Sequence, residues 1–391
     1  MLKTMLKILS YCGVMLLGMA LTIALLPREQ APKGSQQGKL YQLLDFLEEY
    51  HVEDVDRTAL EDAAAEAILT ATGDRWAYYV SADEYATYVE ENQNAYVGIG
   101  VTVTMNEETN RIEVVDVTPG GPADGAGMLT HDYIVGVNGD SCLDKSLEEV
   151  QKLIRGPEGT EVSLTIQRQE QTLELSMLRA TVQVQVVFYE MLPSGYGYIA
   201  IDNFHLRSAK DTIAAIEELT SLGAKGLIFD VRFNPGGYKN EMVDVLDYIL
   251  PEGKLFVTED YLGNSEIDYS DDDCIKMPMA VLVNEYSYSA AEFFAAALRE
   301  YDYAIVVGHQ TTGKGHYQIA FNLSDGSVAN FSVGRYYTPN GVSLDHVGIT
   351  PDVLVEVDEE TWEKIYFDDL TGEDDPQIKA AVDALESQVS P

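Results

Sequence analysis

The chain has 391 residues, with 65 acidic against 25 basic side chains and a formal net charge of −40. That length admits two or three domains with sizeable cores. The charge repels phosphate backbones and argues against nucleic acid as a partner. The runs Asp271-Asp272-Asp273 and Asp368-Asp369 read as solvated loops, because neither has calcium-loop spacing.

Residues 8–26 are uncharged and largely apolar, preceded by Lys3 and Lys7 and followed by Pro27-Arg28-Glu29. The stretch is long enough to span a bilayer. Leu25-Leu26-Pro27 offers no small-x-small cleavage site, so the reading is an uncleaved anchor rather than a signal peptide. The expectation is a single-pass protein of the cell membrane. Its bulk would be extracytoplasmic, because long domains translocate largely regardless of charge. Residues 27–38 read as a polar linker. In the region 39–95, Leu40, Leu43, Leu44 and Leu47 keep a helical period, as do Leu60, Ala64, Ala67 and Ile68. Two helices meeting near His51-Val52 fit. Gly73-Asp74-Arg75-Trp76-Ala77-Tyr78-Tyr79 is a break, and 82–92 is another helix. Cys12 lies in the expected anchor. Cys142 and Cys274 have no metal-ligand spacing, so two free thiols are the default and a bridge between them the alternative.

From Tyr96 the period changes to two. The strand over 97–103 opens with Gly98-Ile99-Gly100, and a second strand covers 112–117. Pro119-Gly120-Gly121-Pro122-Ala123, Ala126-Gly127, Asp132-Tyr133-Ile134 and Val137-Asn138-Gly139 follow in order. This succession resembles a PDZ domain over 96–180. The resemblance implies that Gly98, Ile99 and Gly100 take a peptide's terminal carboxylate through their N–H groups, and that Val101 and Val103 pair with the peptide as an added strand. A helix over 146–154 would form the opposite wall, with Leu147, Val150 and Ile154 as an apolar pocket. Substrates ending in small apolar residues should then bind better than those ending in charge. Arg155 is either a solvated turn residue or a contact from this domain to the body of the protein.

After residue 181 strands alternate with helices: strand 196–201, helix 208–222, strand 226–232, then a helix reaching residue 250. That order predicts a mainly parallel sheet with crossover helices. The apolar run 279–283 is a further buried strand and the Ala-rich run after Ser289 a helix. Ser289-Ala290-Ala291-Glu292 has the spacing of a capping box. The same turn can instead present a hydroxyl where free N–H groups favour developing negative charge. Ser287 and Ser289 can divide these two roles. Lys314 follows 25 residues after Ser289, between two glycines.

The motifs Arg232-x-Asn234-Pro235-Gly236-Gly237, Ser287-x-Ser289-Ala290-x-Glu292, Gly313-Lys314-Gly315-x-x-Gln318, Tyr337-Thr338-Pro339-x-Gly341 and Gly348-Ile349-x-Pro351-Asp352-Val353 occur in the order found in carboxyl-terminal processing proteases. The chain resembles that family from about residue 40 to its end. The resemblance implies an α/β, multi-domain fold. A crotonase/Clp-like protease core over 181–391 would carry an inserted PDZ domain at 96–180 and an N-terminal helical region at 39–95. It also implies a serine endopeptidase with Ser289 as nucleophile, Lys314 as base and Gln318 as third polar residue. The oxyanion site falls on Ala290, Gly236 and Gly237.

The chemistry agrees. A serine hydroxyl needs a base, and lysine serves only as the neutral amine. Its ordinary pKa of about 10.4 must therefore be lowered. If 314–318 is a strand, Lys314, His316 and Gln318 share one face. His316 is a competing base that the family pattern does not ask for, and Glu300 stands where some members carry Asp. Neither metal nor organic cofactor is implied; the partners are protein or peptide C-termini, and a homodimer is left open. Two other classes remain. One is a catalytically silent PDZ scaffold on the same fold. The other is a crotonase-like acyl-transfer enzyme, for which no CoA-binding signature is present.

Overall fold

The computed structural model describes residues 38–389 apart from 108, 368, 369 and 371. It divides into two units, Met1–Ala64 and Ala65–Pro391. In the first, the helix Lys39–Tyr50 is followed by the start of the helix Arg57–Thr70. Arg57 pairs with Asp45 at 3.0 Å, with Glu48, and with Glu61 at 2.9 Å.

The second unit is built on a six-stranded sheet. Its order is Val187–Met191, Gly197–Ile201, Leu227–Asp230, Met279–Val283, Ala304–Gly308 and Val353–Leu354. The first pair is antiparallel and every later pair parallel. Leu227–Asp230 and Met279–Val283 are buried throughout, as strands covered on both faces must be. Successive side chains of these strands face opposite ways. Phe229, Val281 and Val283 pack with Ile216, Val245 and Phe294 of the crossover helices Ser208–Ser221, Lys239–Ile249 and Ala290–Glu300. Ile228, Ala280 and Leu282 pack with Ile378, Ala381 and Leu385 of Pro376–Val389. The carboxyl ends of the two central strands therefore run into the turns 231–238 and 284–289, where open α/β sheets place their sites. A second, antiparallel sheet was not foreseen. It joins Tyr78–Val80, Val328–Tyr337, Gly253–Asp260 and Ser265–Ser270, with His316–Asn322 also paired to Val328–Tyr337.

The region resembling a PDZ domain is an inserted body. Its entry strand Ala95–Gly98 pairs antiparallel with its exit strand Ala180–Gln183, from Ala95↔Gln183 to Gly98↔Ala180. Beyond this stalk lies a sheet ordered Val101–Asn106, Arg111–Val117, Tyr133–Val137, Glu161–Arg168 and Gln171–Leu178. The single strand expected over 97–103 is thus two. Ile99 turns into the core and Gly100 takes a positive φ of 77°, which breaks the strand between them.

The single-pass membrane placement is corrected. Among the described residues no helix is long and apolar enough to cross a membrane. Arg57–Thr70 and Ser208–Ser221, at 14 residues each, rise only about 21 Å against a hydrocarbon core of roughly 30 Å. The stretch 8–26 itself lies outside the described residues, and the membrane and extracytoplasmic placement is not carried forward. Cys142 is buried, Cys274 half-buried, and both are free thiols.

Candidate functional site

The two serines of the turn separate cleanly. Ser287 is fully buried; its hydroxyl donates to Val231 O at 2.7 Å and accepts from Asn284 N–H at 3.0 Å. It ties the turn to the neighbouring strand and has no freedom to react. Ser289 stands at φ 59°, ψ −127°, a strained conformation for a residue with a side chain, directly ahead of the helix Ala290–Glu300. Its hydroxyl shares a 3.4 Å hydrogen bond with Tyr336 OH. Tyr336 is half-buried against Phe256, Phe293 and Tyr317, and desolvation of its phenol pushes its pKa up to about 12.

The turn 233–238 is pressed against this serine. A Cβ on Gly236 would lie 2.7 Å from Ser289 Cβ and 2.9 Å from Ala290 N, and one on Gly237 2.3 Å from Phe204 O. No side chain fits at either position. Gly236 N–H donates to Asn234 Oδ1 at 2.8 Å, and Gly236 O accepts from Phe204 N–H at 2.7 Å. Ala290 opens its helix, so its N–H is among those that lack an intrahelical partner.

Glu292 does more than cap. Its carboxylate, fully buried, accepts from Ser289 N–H at 3.1 Å, from Gly313 and Lys314 N–H at 2.8 Å each, and from Thr311 Oγ1 at 2.5 Å. One side chain therefore holds the backbone of the serine and of the lysine in register. Burial raises its pKa against the pull of these four donors.

The Lys314 ammonium lies 4.7 Å from the centroid of Trp76 and 5.7 Å from that of Tyr288, two rings that stack at 5.6 Å. Burial lowers its pKa to about 8, opposed by the charges of Asp74 and Glu292 and helped by Arg75. Nothing in the sequence signalled 74–76 as part of a site; the segment read as a break between helices. It is held here by Arg75 donating to Gly313 O at 2.7 Å and by Asp74 accepting from Ser332 N–H at 2.8 Å. A tryptophan in a turn, one of two in the chain, was the only available hint.

Lys314, His316 and Gln318 do not share a strand face. The strand begins at His316, and its register shifts between Tyr317 and Gln318, which breaks the alternation. His316 Nδ1 is engaged with Asp345 Oδ1 at 3.1 Å. Gln318 Nε2 donates to His316 O at 2.9 Å and Ser332 Oγ at 3.1 Å, so what it can offer an amine is its carbonyl. Glu300 accepts from Asn340 N–H at 2.8 Å and braces a loop.

The peptide groove also differs in detail. A cavity of about 260 Å³ lies beside Gly98, Ile99 and Gly100 and the strand carrying Val101 and Val103. Val150 is wholly buried in the core of this domain and Leu147 packs against that core, so neither lines the cavity. Ile154 does, with Gln151 and Arg155. The helix Leu147–Ile154 is turned so that its most apolar stripe faces inward. Arg155 reaches Glu90 at 3.6 Å, outside its own domain, and lies 5.9 Å from the Tyr96 ring.

Comparison with known proteins agrees with this architecture. Residues 195–355 match peptidase family S41, and residues 113–168 match a PDZ domain family. The chain is 31% identical to the carboxy-terminal processing protease CtpA of Bacillus subtilis over 85% of its own length and 72% of the relative's. It is 31% identical to the carboxyl-terminal-processing protease of Synechocystis sp. over 84% of its length and 77% of the relative's. A solved structure described as an S41 protease, from Bacteroides fragilis, superimposes with a TM-score of 0.51 at 16% identity. It covers 83% of this chain and 90% of that one, a likeness of fold alone.

Proposed function

The chain belongs to the carboxy-terminal processing proteases, serine-type peptidases of family S41, and from that premise we propose that it cleaves protein substrates by a Ser289–Lys314 mechanism after its PDZ domain has taken their C-termini. The working division is a PDZ domain at 96–180 and a protease core at 181–391. The silent-scaffold alternative has no support.

One observation carries the mechanism. A strained serine and a lysine with its pKa lowered to about 8 are fixed by the same buried carboxylate, Glu292. In the resting geometry the Lys314 amine rests on Trp76 and Tyr288 and is not hydrogen-bonded to Ser289. Substrate would close that gap, as catalytic hydrogen bonds tighten in the complex. The neutral amine takes the proton of Ser289 Oγ as the oxygen attacks the peptide carbonyl. Gln318 Oε1 orients the amine. The oxyanion is met by Gly237 and Ala290 N–H. Gly236 N–H is committed to Asn234, so of the three expected residues it serves by allowing close approach rather than by donating. Each such donor is worth about 3–4 kcal/mol to the transition state. The ammonium of Lys314 then protonates the leaving amine, and water activated by the same group releases the acyl-enzyme.

The pH dependence follows. Only the neutral amine is a base, so kcat/KM rises about tenfold per pH unit below the pKa and levels off above about 8. His316→Ala keeps that limb and most of the activity, because His316 faces Asp345. Loss of activity as complete as in Lys314→Ala would transfer the base to His316. The C-terminal reading is tested with unstructured proteins that differ only in their last three residues. The wild type should cleave them at different rates and Ser289→Ala none of them; equal rates for all tails would remove the PDZ domain from substrate choice.

A further inference from the structure

The carboxylate-binding loop of the PDZ domain is not open in the chain on its own. Thr118 N–H donates to Gly100 O at 3.0 Å, which directs Gly100 O toward the neighbouring strand. Alternation along an antiparallel pair then turns the next N–H, that of Val101, outward to the peptide groove. This is one of the donors a terminal carboxylate would use. The Tyr96 side chain occupies the place in front of it. Its ring lies over Gly98, with Cε2 2.7 Å and Cδ2 3.0 Å from where a Cβ of Gly98 would stand. Its phenol oxygen faces Val101 N–H, and burial of the ring raises its pKa. Tyr96 forms part of the same cavity wall as Gly98–Val103 and Arg155. The Arg155 guanidinium stands 5.9 Å from the Tyr96 ring and is held from the far side by Glu90, whose other carboxylate oxygen accepts from Val97 N–H at 3.0 Å.

We propose that Tyr96 is a gate on the PDZ carboxylate site: its phenol hydroxyl stands in for one oxygen of a peptide C-terminus, and a substrate's free carboxylate binds by displacing it. The gate sets specificity. A neutral phenol accepts one weak hydrogen bond, whereas a carboxylate accepts charge-assisted ones and is drawn to Arg155. A C-terminal carboxylate can therefore displace the phenol where an internal segment or an amidated end cannot. The proposal rests on the reading that this domain binds C-termini.

The test uses the full chain with Ser289→Ala to stop cleavage, with and without Tyr96→Phe. The probes are an unstructured peptide ending in Ala-Val as the free acid and its C-terminally amidated twin, followed by calorimetry. Phenylalanine keeps the ring and removes only the hydroxyl. The free acid should bind Tyr96→Phe about three- to ten-fold more tightly than the parent, the range for releasing one neutral hydrogen bond. The amide, which cannot displace the phenol in the parent, should gain at least as much, so that the preference for the free acid narrows. In the unliganded protein, the Val101 amide should exchange with solvent faster in Tyr96→Phe. A free acid that binds both proteins equally, or binds the variant more weakly, overturns the gate and leaves C-terminal recognition standing. Free acid and amide binding the parent equally overturns the recognition on which the gate rests. An unchanged Val101 exchange rate shows that the phenol does not hold that amide and overturns the gate as well.

Discussion

Ser289→Ala and Lys314→Ala are each expected to lower kcat by about four orders of magnitude or more, with thermal unfolding little changed. The two losses should be similar, and the double variant should be hardly worse than either, because residues acting as one unit are not additive. Ser287 cannot rescue Ser289→Ala. Its hydroxyl is spent between Val231 O and Asn284 N–H inside the core. Stability should hold because the Ser289 hydroxyl bonds Tyr336 only at 3.4 Å and removal of a half-buried lysine relieves a partly desolvated charge. The measurement is turnover of an unstructured substrate beside a thermal melt of each variant. Substantial peptidase activity in a clean Ser289→Ala preparation would falsify the assignment of the nucleophile.

The largest effect on stability is expected from Arg232→Met. Arg232 is buried and paired on two sides: its guanidinium pairs with Asp230 at 2.5 Å and Asp375 at 2.7 Å, and donates to Gln377 Oε1 at 2.9 Å. Tyr198 OH also donates to Asp230 at 2.7 Å. Methionine fills most of the volume but leaves two buried carboxylates without a cation. Breaking a buried pair on one side costs about 3–5 kcal/mol, or a fall in Tm of roughly 10 °C for a domain of this size. Asp375 accepts from Gln377 N–H at 2.7 Å at the start of the helix Pro376–Val389. Arg232 thus joins that helix to the strand leading into the glycine turn, and activity should fall together with Tm. A melting temperature within about 2 °C of the wild type, with normal turnover, would show that the network neither stabilises the core nor positions the turn.

Much of this protein could be read before any coordinates. Continuous apolar runs such as 279–283 identify buried parallel strands because a strand covered on both faces leaves no polar side. The order of strands and helices after residue 181 implied the sheet that the structure contains. Ser289, Lys314 and Gln318 could be proposed as site residues from the motifs around them, the glycines and Glu292, through the family those motifs resemble. Three things were decided only by the tertiary structure. Ser287 and Ser289 are equivalent as letters, and only the approach of Val231 O commits one of them to the core. The aromatic seat of Lys314 is built from Trp76, far away in the chain, and local periodicity carries no information about which distant turn fills a space beside a lysine amine. The peptide groove changed for a related reason. Leu147, Val150 and Ile154 share a helical stripe, but apolar side chains on such a stripe leave water for the nearest core first. Val150 did so, and Gln151, Arg155 and Tyr96 were left facing the groove.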